Sequence, residues 1–245
     1  MSRMTAPAPH IEVSPNPAAL ADRVAAWLLD LAMAEDGPFR LCLSGGSTPK
    51  ALYRRLAEPP YRDRFPWART HLFWGDERFV PPDDALSNFR MVREALLDHA
   101  PIPAANIHAV PIQGLSPQNA ASAYQRDLQA AYGANRLSPA CPLFDVNLLG
   151  LGPDGHTASL FPETDVLQDR DHWVAAVIGV KAEARITLTY PALESSRHAA
   201  FLVAGKDKAA ILDRLLQGDQ ALPAAHLHPV GELWIFHDAA AGGAP

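Results

Sequence analysis

The stretch that most constrains the fold is LFDVNLLGLGPDGHTASLFP, residues 143–162. Phe144 to Leu151 is a continuous apolar run broken only by Asp145 and Asn147. That is the pattern of a short strand buried on both faces of a parallel sheet. Gly150, Gly152, Pro153 and Gly155 then turn the chain sharply at the strand's carboxyl end. In open α/β sheets ligands bind at that edge, and here it carries Asp154, His156 and Thr157. An imidazole titrates near neutrality, so His156 on a glycine-rich turn beside a carboxylate is a candidate acid or base. A lone histidine usually just caps a turn; the glycines and the edge position favour function here.

The letters GLGPDG also satisfy the dinucleotide pattern G-x-G-x-x-G, and Asp171 lies near the offset of a ribose-binding acid. Two features count against that use. Pro153 sits inside the turn, and Phe161-Pro162 cuts the following helix to about one turn, too short to face a pyrophosphate. The next strand, Trp173 to Gly179, has no acid at its end.

A second glycine turn points to an anion. Phe39 to Leu43 reads as a strand, followed by Ser44-Gly45-Gly46-Ser47-Thr48-Pro49-Lys50 and a helix through Leu56. Gly45 and Gly46 let backbone N–H groups approach a phosphate, and Ser47 and Thr48 add hydroxyl donors. The dipole of the helix start favours negative charge. The stretch fits neither a Walker A loop nor a G-x-S-x-G nucleophile elbow. The alternative is an ordinary strand-to-helix turn with a cap. His71 to Gly75 reads as a third strand, ending in Asp76-Glu77-Arg78. Such a triplet is commonly a solvated loop, but a cation beside two carboxylates at the same sheet edge also suits a polar ligand. Lys181 and Arg185, four apart, stand before the strand-like Ile186 to Thr189.

The rest is an alternation of strands and helices. Ile11 to Val13 reads as a short strand, and Asn16 and Pro17 open a helix with Leu20, Val24, Trp27, Leu28 and Leu31 on one face. Ser87 caps a helix carrying Met91, Val92, Ala95 and Leu96. Ile107 to Val110 is a strand, Gln118 to Tyr132 a helix ended by Gly133, His198 to Ala204 a strand, Lys206 to Leu216 a helix and Glu232 to Phe236 a last strand. No repeat or interior linker interrupts the chain, so residues 1–245 read as a single domain, with 1–10 and 239–245 expected to be flexible.

With 48% apolar and 20% charged residues the chain can bury a substantial core. A net charge of −6 argues against non-specific nucleic-acid binding, so an anionic ligand needs a local cationic pocket. Cys42 and Cys141 both sit in strand-like apolar runs and read as packing residues of a reducing compartment. His226 and His228 have no third ligand at metal spacing, so no metal is expected. No stretch has the length of a membrane span, and the first ten residues lack the regions of a signal peptide. The expected location is cytoplasmic.

Taken together, SGGSTP (44–49), GDERFVP (75–81), SNFRMVREALL (87–97), LLGLGPDGHTASLFP (148–162) and RITLTYPAL (185–193) resemble the 6-phosphogluconolactonases, in order, over about residues 39–237. The resemblance implies an α/β, Rossmann-like fold, similar to glucosamine-6-phosphate deaminases and ribose-5-phosphate isomerases: an open, mostly parallel twisted sheet with helices on both faces. It implies hydrolysis of 6-phospho-D-glucono-1,5-lactone to 6-phosphogluconate in the pentose phosphate pathway, with no cofactor or metal. From charge and the lack of an apolar span no nucleic-acid or membrane partner is expected, and the assembly is left open as a monomer or small homo-oligomer. His156, Asp154 and Arg78 become the expected catalytic set. Ser44, Gly45, Gly46, Ser47, Thr48, Asp76, Glu77, Gly155, Lys181 and Arg185 become the expected substrate contacts. One departure is the segment Lys181-Ala-Glu-Ala-Arg185, where the family usually carries a proline-rich run.

The nearest alternative is a deaminase of the same fold. Those enzymes typically carry Asp-Glu-Tyr in place of Asp76-Glu77-Arg78, and Asn-Glu-Pro in place of Ser159-Leu160-Phe161-Pro162. A non-catalytic sugar-phosphate sensor of this fold would need a DNA-binding segment, and the residues before the first core strand carry one helix and no helix-turn-helix pattern.

Overall fold

The computed structural model describes residues 8–243. β1 (His10–Ser14) leads into α1 (Pro17–Ala34), where Asn16 Oδ1 accepts the Ala19 N–H at 2.9 Å and Pro17 opens the first turn. β2 (Phe39–Leu43), α2 (Ser47–Leu56) and the short α3 (Tyr61–Arg64) follow. Next come β3 (Thr70–Trp74), β4 (Asp76–Arg78) and α4 (Asn88–Val92), whose cap Ser87 accepts the Arg90 N–H at 3.1 Å. β5 (Ile107–His108) precedes α5 (Pro117–Tyr132), which Gly133 ends. The chain closes through β6 (Phe144–Leu149), β7 (Val174–Val177), β8 (Arg185–Leu188), α6 (Tyr190–Glu194), β9 (Ser196–Val203), α7 (Ala209–Leu216) and β10 (Glu232–Asp238).

Seven strands form one parallel sheet in the order β1-β10-β9-β6-β2-β3-β5. Helices cover both faces, as the alternation along β10 shows. Trp234 and Phe236 meet Trp27 of α1 with ring centroids 5.4 and 5.0 Å apart. Leu233 and Ile235 point the other way, into an apolar groove shared with Leu215 of α7 and Leu227. The run expected to be a doubly buried strand is β6, paired on both sides and buried at Val146, Asn147, Leu148 and Leu149.

The sheet order turns back on itself between β2 and β6. From β2 the chain runs outward through β3 to β5; from β6 it runs the other way through β9 to β10. Adjacent strands whose connections leave in opposite directions open a crevice at their carboxyl ends. Here both glycine turns leave from that crevice, since Leu41 and Cys42 pair with Val146 and Asn147.

A second, antiparallel sheet of three strands, β4-β8-β7, stands beside the first. The expected strands at 173–179 and 186–189 belong to it, and so does the Asp76-Glu77-Arg78 triplet, which is a strand rather than a loop end. No helix starts directly at the histidine turn; the next is a single 3-10 turn, Asp165–Gln168. Thr157 and Leu160 instead form a bridge, with Ala158 at φ 48°. Of the expected flexible lead, residues 1–7 lie outside the described residues, while His10 already pairs with Trp234. Of the expected fray at 239–245, residues 244–245 lie outside them too, while Ala241 is buried and donates its N–H to Asp238 Oδ1 at 2.8 Å. Cys42 packs in the core as expected, but Cys141 is exposed, in the loop before β6. Among the described residues no helix is long and apolar enough to cross a membrane.

Candidate active site

A cleft of about 330 Å³ opens at the crevice between β2 and β6. Its floor is the first glycine turn. Gly46 lies at φ 109°, a conformation that favours glycine, and brings Ser47 and Thr48 into the first turn of α2 with their N–H groups unspent within the helix. The helix thus starts two residues earlier than Pro49. The turn is held from behind: the buried Tyr53 hydroxyl accepts the Ser44 N–H at 2.9 Å and donates to the Ser44 carbonyl at 2.8 Å. Burial pushes that phenol far above its ordinary range, so it keeps its proton. Tyr124 of α5 does the same at the end of β3, accepting the Trp74 N–H at 2.7 Å and donating to its carbonyl at 3.0 Å.

The second glycine turn supplies His156. Its Nδ1 is hydrogen-bonded to Asp154 Oδ1, which also accepts the His156 N–H at 3.2 Å. Burial pushes the Asp154 carboxyl up, but the bonds from His156 outweigh it and hold it below its ordinary value. A carboxylate on Nδ1 places that proton there and leaves Nε2 as the acceptor. Nε2 makes no hydrogen bond to the described residues, and the ring lines the cleft. The segment that follows is stitched to the small sheet, with Ser159 Oγ donating to Asp76 Oδ2 at 2.7 Å and Ser159 N–H donating to Thr187 Oγ1 at 3.1 Å.

The small sheet brings the cations. Arg78 of β4 and Arg185 of β8 stand directly opposite each other and both line the cleft. Arg78 Nη1 donates to the Leu86 carbonyl at 2.6 Å, and Arg185 Nη1 to the Glu183 carbonyl at 3.1 Å. Arg185 Nη1 is also paired with Glu183 Oε2 at 3.4 Å, which offsets part of its charge, while Arg78 has no carboxylate partner among the described residues. Lys181 reaches the same wall with Nζ 5.0 Å from the centroid of the Phe161 ring.

The structure therefore brings Ser44, Gly45, Gly46, Ser47, Thr48, Asp76, Arg78, His156, Lys181 and Arg185 to one cleft, with Asp154 behind the imidazole. Two expected contacts do not line that cleft. Glu77 points away, because alternate residues of a strand face opposite sides and Asp76 and Arg78 take the cleft. Its Oε1 accepts from the Arg78 and Asn88 N–H groups and its Oε2 from Phe89 N–H, all at 2.7 Å, closing the first turn of α4. Burial nevertheless pushes the Glu77 carboxyl above its ordinary value, against the pull of those donors. Gly155 is a turn former: it lies at φ 81°, accepts the Ala224 N–H at 2.9 Å, and a side chain there would run into Leu222.

Besides Ser159, two polar cleft residues lie outside the set expected from the sequence. Asn88 is buried and donates Nδ2 to the Asp76 carbonyl at 2.9 Å. Lys208 lines the cleft with Nζ donating to the Leu151 carbonyl at 2.9 Å. The signal for Lys208 was present: Gly205-Lys206-Asp207-Lys208 is a third glycine turn after a buried strand at the same edge.

The sequence matches the family described as glucosamine-6-phosphate isomerases/6-phosphogluconolactonase over residues 15–235. It is 43% identical to a protein of Nostoc named 6-phosphogluconolactonase, over 95% of this chain and 96% of that one. The crystal structure of 6-phosphogluconolactonase from Thermotoga maritima superposes with a TM-score of 0.79 at 32% identity, covering 94% of this chain and 99% of that one. A monomeric glucosamine-6-phosphate deaminase, at 19% identity and a TM-score of 0.80, covers 96% of this chain and all (100%) of its own and shares the fold.

Proposed function

Because this chain belongs to the glucosamine-6-phosphate isomerase/6-phosphogluconolactonase family, we infer that it hydrolyses 6-phospho-D-glucono-1,5-lactone to 6-phosphogluconate in the pentose phosphate pathway. The observation that carries the reading is the Asp154–His156 pair facing, across one cleft, an anion-binding helix start and a cationic wall. The 6-phosphate sits on the Ser44–Thr48 turn at the start of α2, with Lys208 within the same cleft. That leaves the lactone carbonyl toward His156 and the paired arginines.

The chemistry then needs one base. As water attacks C1, His156 Nε2 takes its proton and Asp154 supports the imidazolium that forms. The carbonyl oxygen becomes an oxyanion beside Arg78 or Arg185. Collapse breaks the bond from C1 to the ring oxygen, which takes the proton back from the imidazolium. The new carboxylic acid ionises at neutral pH and releases one proton. Asp76, fixed by Ser159, offers a carboxylate to the sugar hydroxyls. A deaminase would have to draw on the same cleft, but the Arg78 and Ser159-Leu160-Phe161-Pro162 signatures favour the lactone.

The test is proton release on adding freshly made 6-phosphogluconolactone, measured against spontaneous opening, beside ammonia release from glucosamine 6-phosphate. Acceleration of the first with none of the second is expected. Ammonia without lactone opening overturns the assignment.

A further inference from the structure

Gly152 combines two features that no other glycine of the histidine turn has together. Its backbone is not in the left-handed region, unlike Gly155 at φ 81°, so an L-residue can adopt its conformation. Yet a Cβ built on Gly152 would lie 2.7 Å from His156 Cγ and closer still to Nδ1 and Cε1; these ring atoms are its three nearest neighbours. The φ at 152 therefore does not call for glycine. What requires it is the imidazole, which lies over the bare α-carbon.

The other restraints on the ring are already satisfied there. Asp154 holds Nδ1, the Gly152 N–H donates to the His156 carbonyl at 2.8 Å, and the Phe161 ring packs against the imidazole with centroids 4.7 Å apart. With those contacts in place the ring has one seat, and a methyl group on residue 152 removes it. The ring would have to shift, moving Nε2 off its line within the cleft and loosening the bond from Nδ1 to Asp154.

The geometry points to Gly152 as a positioning residue for the base: its missing side chain is the slot that aims His156 Nε2 at the reacting carbon. The inference rests on the reading of His156 as the base. Displacing a reacting group by about 1 Å costs on the order of 100-fold in rate, so Gly152→Ala should lower kcat by about 10–100-fold. KM should change by less than about threefold, because the phosphate turn and the cationic wall are untouched.

A double-mutant cycle tests it on the full-length chain. Gly152→Ala, His156→Ala and the double variant are assayed for lactone opening, and each is melted. The expected result is a loss of kcat for Gly152→Ala in the native background and no further loss in the His156→Ala background, since no ring remains to displace. An equal loss in both backgrounds overturns the inference, and so does an unchanged kcat in Gly152→Ala alone. A Gly152→Ala chain that fails to fold overturns it as well, because the glycine would then serve the backbone. If His156→Ala alone keeps its kcat, the base itself is misassigned and the inference falls with it, a failure visible before Gly152 is varied.

Discussion

At the scale of single residues the cleft divides binding from chemistry, and the two respond to different substitutions. His156→Ala removes the proton acceptor, so kcat should fall by about 10²–10⁴-fold. KM and the melting temperature should change little, because the ring is held by a surface turn. A variant that melts early and keeps its kcat would reduce His156 to a turn cap. Ser47→Ala with Thr48→Ala acts on the other end of the substrate. Phosphate contacts are shared by ground state and transition state, so the double variant should raise KM and spare kcat. Each charge-assisted bond lost is worth about 1.5–3 kcal/mol. An unchanged KM would leave the turn as a helix start and nothing more.

At the scale of elements, the cleft depends on strand ends that their neighbours in the sheet do not fully tie down. Tyr53 and Tyr124 reach from α2 and α5 to the ends of β2 and β3, each closing both hydrogen bonds of one backbone residue. Tyr53→Phe keeps the packing and orphans the buried Ser44 N–H and carbonyl, costing about 1–3 kcal/mol for each unsatisfied group. It should lower the unfolding midpoint and raise KM together, since Ser44 begins the phosphate turn; a lower midpoint with an unchanged KM would separate the two. No sequence pattern announces such a bond, because it joins residues 9 and 50 apart through the fold. The parallel strands were legible because doubly buried strands are continuous apolar runs, and α1, α4 and α5 because Asn16, Ser87 and Gly133 mark their ends. The small sheet was not. β4 is three charged residues with no apolar alternation, and its partners looked like further strands of the main sheet. Once β4 is known to be a strand, alternation alone turns Glu77 away from the cleft. The glycine turn at Gly205 follows a buried strand as the other two do, so Lys208 is legible by the same rule.

At the scale of the whole molecule, half-buried histidines tie stability to pH. Burial pushes the His71 imidazole below its ordinary value, with His108 and Arg40 adding to it; burial also lowers His198, against the pull of Glu232. Both groups take up protons more readily in the unfolded chain, so their contribution is complete above an unfolded pKa of about 6.5 and is lost as pH falls through the depressed folded values. Glu77 and Glu194, pushed up by burial, act in the opposite sense. The histidine part is therefore read as a difference. Between pH 7.5 and pH 5 the urea midpoint of the native protein should fall more, or rise less, than that of the His71→Gln, His198→Gln variant. Identical profiles would show that neither imidazole is coupled to folding.

The register that sets Arg78 opposite Arg185 has a consequence for handling the protein as well as for its chemistry. Both side chains line the cleft together with Lys181 and Lys208, so an anion that enters it meets several cations at once. Inorganic phosphate or sulfate in a buffer then acts as a ligand of the native state alone, raising the apparent melting temperature with the logarithm of its concentration. Melting curves recorded in phosphate and in an anion-poor buffer would differ by the occupancy of this cleft, so the choice of buffer salt becomes a measurement of the site.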